Sequence, residues 1–114
     1  MSNFWEGFEK RAGVNLYAHG VTHDGRTVTI ADAGKKGSWH VNTLPRNKFN
    51  GLDEHVYGKP LPHKDVASYA KTFSDSVGHS DADASDESDL HAFADNLRRA
   101  SGSKKYKHFI LHMG

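Results

Sequence analysis

The sequence predicts a single small α+β domain. Its expected order is a short N-terminal helix, a three-stranded antiparallel meander, two amphipathic helices, and a C-terminal strand that joins the sheet. Three observations predict it. Residues 14–44 alternate apolar and polar positions between turn-forming residues. Residues 64–100 carry two apolar stripes at helical spacing. Residues 104–113 form a branched and aromatic run suited to a strand.

Each element follows from local chemistry. Residues 2–12 (SNFWEGFEKRA) read as a short amphipathic helix, with Ser2 or Asn3 as cap, Phe4 and Phe8 one turn apart, and Gly13 as stop. Gly7 weakens it by roughly 1 kcal/mol relative to alanine, so residues 1–13 form a peripheral element that needs a surface to lie on. In the first strand Val14, Leu16 and Ala18 alternate with Asn15, Tyr17 and His19. In the second, Val28 and Ile30 alternate with Thr27, Thr29 and Ala31. Asp24-Gly25 between them suits a tight hairpin turn. Gly34-Lys35-Lys36-Gly37 reads as a second turn. Ser38–Leu44 reads as a third strand, with Trp39 and Val41 on one face and His40 and Asn42 on the other. Pro45 ends it, and residues 45–63 are expected to be irregular, with one helical turn at 50–56.

Residues 64–77 place Val66, Tyr69, Ala70, Phe73 and Val77 on one helical stripe, and Leu90, Phe93, Ala94 and Leu97 do the same within 89–100. The acidic stretch 79–88 between them lacks large apolar side chains and reads as a loop. In the last strand Phe109, Leu111 and Met113 face the core, while Tyr106, His108, Ile110 and His112 face away. The second sheet face is expected to be partly solvated, or covered by the N-terminal helix or a partner.

Composition narrows the function. The 114 residues hold no cysteine, which excludes disulfides, thiolate metal sites and cysteine nucleophiles. Fifteen Lys and Arg against fourteen Asp and Glu give no net-charge argument for nucleic acid. The mean hydropathy of -0.72 fits a wet-surfaced chain. With no membrane-spanning run and no signal pattern, a cytoplasmic protein without membrane association is expected.

Nine histidines carry the chemistry, because imidazole changes charge near neutrality and ligates metals. Strand parity places His19, His40, His108 and His112 on one sheet face with Tyr17. Such a face suits a divalent metal, or an acid/base pair for phosphodiester cleavage with Lys107, Lys35 or Lys36 as charge partner. The bland alternative is a sheet face that is simply polar. Asp81–Asp86 resembles the start of a calcium loop but lacks the glycine and glutamate that the loop requires, and a solvated loop fits better. Gly34–Gly37 lacks the spacing of a phosphate-binding loop.

Arg98, Arg99, Lys104, Lys105 and Lys107 form a basic cluster with one aromatic, Tyr106. It suits a nucleic-acid backbone, or pairing with the chain's own acids. The opening Phe4-Trp5-Glu6-Gly7-Phe8-Glu9-Lys10-Arg11-Ala12 resembles the N-termini of small bacteriophage or prophage reading frames, which implies a viral or mobile-element accessory protein and no mechanism.

The leading expectation is a non-catalytic interaction protein that uses Phe4, Trp5 and Phe8 to bind a protein partner or a second copy, with no cofactor. A histidine-dependent hydrolase or toxin-like nuclease stands second, and a nucleic-acid binder using the basic cluster third.

Overall fold

The computed structural model describes residues 15–44, 52, 56–79 and 83–114. The expected helix at 2–12, with Phe4, Trp5 and Phe8, and most of 45–55 lie outside the described residues. Strands β1 (Leu16–Thr22) and β2 (Thr27–Ala33) form a hairpin, followed by helix α1 (Gly34–Thr43) and a short strand β3 (Pro60–Leu61). Helix α2 (His63–Ser76) runs through a 3₁₀ turn at Val77–His79, and α3 (Ala84–Ser101) leads into β4 (Tyr106–Met113). The protein is thus α+β, as expected. The sheet, however, has four antiparallel strands in the order β2-β1-β4-β3, so the C-terminal strand is central.

The hairpin forms where the sequence places it. Gly25 turns at φ 92°, and Thr22 N–H donates to the carbonyl of Arg26 at 2.8 Å. Thr22 also binds Asp24 with its hydroxyl, and Arg26 N–H donates to Thr22 Oγ1 at 3.0 Å. That turn fixes the register with Val21 opposite Thr27, Gly20 opposite Val28 and His19 opposite Thr29. A bulge then inserts Ile30, so that Ala18 meets Ala31. The expected inward alternation of Val28 and Ile30 is corrected accordingly. Ala31 is buried, Ile30 is half-buried and Val28 is exposed on the edge strand.

The largest correction falls on residues 34–44. The expected turn and third strand are one helix. Gly37, His40, Val41 and Leu44 recur at i, i+3, i+4 and i+7 and turn inward, which is the helical period. Trp39, expected inside, is 47% exposed, whereas His40 is 2% exposed. Gly34 bends the chain out of β2 at φ 61°, a left-handed conformation that glycine adopts without strain. Its N–H donates to the Asp32 carboxylate at 2.7 Å. A Cβ at Gly37 would stand 2.3 Å from Ala33 Cβ and 3.1 Å from Leu16, so α1 lies directly on the sheet.

Helix α3 starts five residues earlier than expected. Asp83 caps it by accepting from Asp86 N–H at 2.9 Å, and Asp86 and Glu87 sit in its first turn, where the helix dipole favours them. The acidic stretch is therefore partly a helix N-terminus. Within 45–63, Pro60–Leu61 pairs with Ile110 and Phe109 as an edge strand that was expected to be irregular.

The core lies between the sheet and the three helices. Leu16, Ala18, Phe109 and Leu111 meet Val66, Tyr69, Phe73, Phe93 and Leu97. The Phe73 and Phe93 rings are 5.0 Å apart at their centroids. A second bulge, between Val21 and Thr22, inserts Lys107 and turns Tyr106 to the inner face, where outward placement was expected. The Tyr106 ring lies 5.5 Å from Phe109 and directly over Gly20, whose added Cβ would stand 2.5 Å from it.

Gly20→Ala is therefore expected to cost about 1–3 kcal/mol through overpacking. Urea denaturation of the variant checks this, and an unchanged midpoint would mean that the ring does not rest on Gly20.

Candidate ligand-binding face

Because β1 and β4 alternate, the side chains that leave the core share the opposite face of the sheet. Tyr17 stands opposite His112, His19 opposite Ile110, and Val21 opposite His108. The core cluster places α1, α2 and α3 against the other face. Among the described elements no helix packs on this one.

Three rings gather at one end of it. Tyr17 lies 6.0 Å from His19 and 6.3 Å from His112, with interplanar angles of 28° and 15°. The two imidazoles are 6.1 Å apart. Asn15 Nδ2 donates to the Tyr17 hydroxyl at 2.7 Å, and Thr29 Oγ1 lies 3.1 Å from His19 Nδ1. Partial burial lowers the pKa of His19, and the neighbouring charge of protonated His112 lowers it further. Asn15 and Thr29 were missed in the sequence. Counted outward from a two-residue Asp24-Gly25 turn, the register would set Ile30 opposite His19; the loop of three residues, His23 to Gly25, pairs Thr22 with Arg26 and so brings Thr29 there instead.

His108 shares the face, farther along β4. His40 does not, so the expected face of four imidazoles has three. His40 sits in the core, edge-on to Phe73 at 4.9 Å. Its Nε2 donates to Ser76 Oγ at 2.7 Å, while the Ser76 hydroxyl donates to the carbonyl of Phe73 at 2.7 Å. That chain assigns the proton to Nε2. Burial pushes the His40 pKa down to about 4, against the pull of the nearby Phe73 backbone and with help from His91. Among the described residues no group of three His, Asp or Glu side chains is placed to hold a metal ion.

The opposite end of the sheet is basic. His23 Nε2 lies 2.9 Å from the carbonyl of Lys104, which ties the β1–β2 turn to the α3–β4 turn. Exposed Lys104 and Lys105 sit in that second turn, and exposed Lys107 occupies the β4 bulge. Arg26 pairs with Asp24 at 3.0 Å. Arg98 and Arg99 belong to the helical layer, at the last turns of α3, and Arg98 lies 3.7 Å from Asp95. His63 closes the same corner, its two ring nitrogens 2.8 Å from the Ser101 carbonyl and 2.7 Å from that of Tyr106.

Gly34–Gly37 opens α1 beside a cavity of about 600 Å³ lined by Asn15, Asp32, Lys35, Lys36, Phe93 and Asn96, among others. The Gly34 N–H and the Lys36 ammonium there are already engaged. Asp32 takes the Gly34 N–H, and Lys36 lies 2.8 Å from both Asp86 and Asp89. The cavity touches none of the three outer rings.

No helix among the described residues is long and apolar enough to cross a membrane. Comparisons with protein-family models, curated proteins and solved structures found no match.

Two titrations check this picture. His112→Ala removes a positive neighbour and is expected to raise the pKa of His19 part of the way towards its ordinary value, since burial is the larger cause; NMR titration of the His19 ring reads it. His40 is buried neutral with its folded-state pKa depressed. Its contribution to stability is complete above pH 6.5 and lost as pH falls towards 4. That loss is worth about 2–3 kcal/mol. His40→Gln is expected to flatten this portion of the stability-versus-pH curve, measured by urea denaturation.

Proposed function

We propose that this chain is a non-catalytic binding module whose ligand lies along the sheet face on which no described helix packs, and that the ligand is a single strand of nucleic acid. The observation that carries the reading is the arrangement of that face. Three rings gather at one end, Tyr17 stacked on His19 at 28° and on His112 at 15° with the two imidazoles tilted at 42°, and exposed Lys104 and Lys107 stand at the other, beside Lys105 over the Tyr106 ring. About five residues of strand separate them, roughly 15 Å. Rings on an open sheet face accept stacked bases without regard to sequence. Lysines supply the phosphate contacts that dominate affinity.

A second reading shares the same residues. His19 and His112 are close enough to act on one phosphate, and a depressed pKa suits His19 as a base. His112 is exposed to solvent, which favours binding over cleavage, since a catalytic pair works best where water is excluded.

Gel retardation with labelled single-stranded oligonucleotides tests the proposal. Retardation is expected at low ionic strength, weakening as salt rises. Tyr17→Ala and His112→Ala are each expected to cost about 1–3 kcal/mol of binding. Lys107→Ala is expected to reduce the salt slope by about 1. Absence of any shift at low salt contradicts binding, and shortened oligonucleotide products support the hydrolytic reading instead.

A further inference from the structure

The two edges of the sheet differ. At one edge, β3 is two residues long, begins with Pro60 and follows Lys59. Shortness, proline and lysine are devices that keep a sheet edge from pairing with another chain. At the other edge, β2 is seven residues long. Its first three residues, Thr27, Val28 and Thr29, are all exposed and all β-branched, and carry none of these devices.

The hairpin decides where their backbone groups point. Thr22 N–H donates to the Arg26 carbonyl, and Val21, Gly20 and His19 stand opposite Thr27, Val28 and Thr29. Bonded and non-bonded rungs alternate along an antiparallel pair. Arg26 and Val28 therefore turn their backbone groups towards β1, and Thr27 and Thr29 turn theirs out of the sheet. Among the described residues these outward N–H and C=O groups take no backbone partner.

Val28 stands opposite Gly20, so it belongs to the face on which the Tyr106 ring lies. On that helical side it is nevertheless 38% exposed. Arg26, just before it, pairs with Asp24 of its own turn, so its charge is already answered.

We infer that Thr27–Thr29 pairs antiparallel with the same three residues of a second copy of this chain, about a two-fold axis through Val28. The stretch is complementary to itself. Thr27 meets Thr29 of the second copy, and Thr29 meets its Thr27, so every outward N–H finds an outward C=O. Val28 meets the second copy's Val28 on the non-bonded rung between them, where side chains approach most closely. The bulge at Ile30 ends the match by bending the strand. The contact is thus short, below the roughly 1,000 Å² of a stable interface, and the dimer is weak. The axis stands perpendicular to the sheet, which closes the pair and leaves both Tyr17 clusters on the same side of one continuous sheet. The inference stands on the β2 edge and not on the nucleic-acid reading.

Sedimentation equilibrium of the full chain tests it, with no nucleic acid present. The mass is expected to rise from 12.6 kDa towards twice that value as concentration climbs into the millimolar range. Val28→Lys sets a lysine on each side of the axis. It is expected to stay at the monomer mass over the same range, with unchanged far-ultraviolet circular dichroism. The chain has no cysteine, so Val28→Cys carries a single thiol. Across a non-bonded rung the Cα atoms stand about 4.5 Å apart, within reach of a disulfide. Mild oxidation is expected to link Val28→Cys chains several-fold faster than Ser68→Cys chains, which carry the thiol at an exposed position on α2. A monomer mass throughout overturns the inference. So does a dimer that folded Val28→Lys leaves intact. Should Val28→Lys fail to fold, cross-linking decides, and equal rates for the two cysteine variants overturn the inference.

Discussion

The pairing of β1 with β4 is the constraint on which the structure depends. Both strands are central, and each rung sends one pair of side chains to the helices and the next pair away from them. Ala18 with Leu111 and Gly20 with Phe109 go inward; Tyr17 with His112 and His19 with Ile110 go outward. A slip of one residue would put Phe109 and Leu111 in water and the imidazoles in the core. The register is therefore held by burial from one side, and the ring cluster on the other side is its by-product. Two bulges adjust the pattern at the margins. One turns Ala31 in place of Ile30, and the other turns Tyr106 inward to lie on Gly20, leaving Lys107 exposed.

The histidines illustrate how environment sorts one residue type into separate tasks. His40 is a neutral core residue, joined to Ser76 and packed against Phe73. His63 and His23 hold backbone carbonyls and tie turns together. His19 and His112 stand diagonally across β1 and β4, 6.1 Å apart, and the charge of His112 opposes the charging of His19. Abundance of histidine thus does not amount to one site. Among the described histidines, the pair beside Tyr17 converges and reaches solvent, which is why the proposed ligand is placed there.

Much of this was legible in the sequence where periodicity was unambiguous. The hairpin followed from Asp24-Gly25, and α2 from the stripe Val66, Tyr69, Ala70 and Phe73. The inward set Phe109 and Leu111 followed from alternation alone, and with it the outward set Tyr17, His19 and His112. Legibility failed where a short stretch satisfied two periods at once. Trp39 and Val41 match a strand, while Gly37, His40, Val41 and Leu44 match a helix. Bulky Trp39 drew the reading to the strand, although it is the glycine that allows α1 to approach Leu16. Bulges defeat alternation by construction, so Ala31 and Tyr106 were placed on the wrong faces. The start of α3 was hidden because its first turn is acidic. Acidic residues there answer the helix dipole and Lys36, and contribute nothing to an apolar stripe.

The central claim is that β1–β4 register separates the outward imidazoles from His40. A nuclear Overhauser spectrum of the isotope-labelled protein tests it most directly. The account predicts cross-peaks between the rings of Tyr17 and His112, and between His40 and Phe73, with none from His40 to Tyr17 or His19. Cross-peaks joining His40 to Tyr17 or His19 would contradict it, because they would require residues 38–44 to lie in the sheet beside β1.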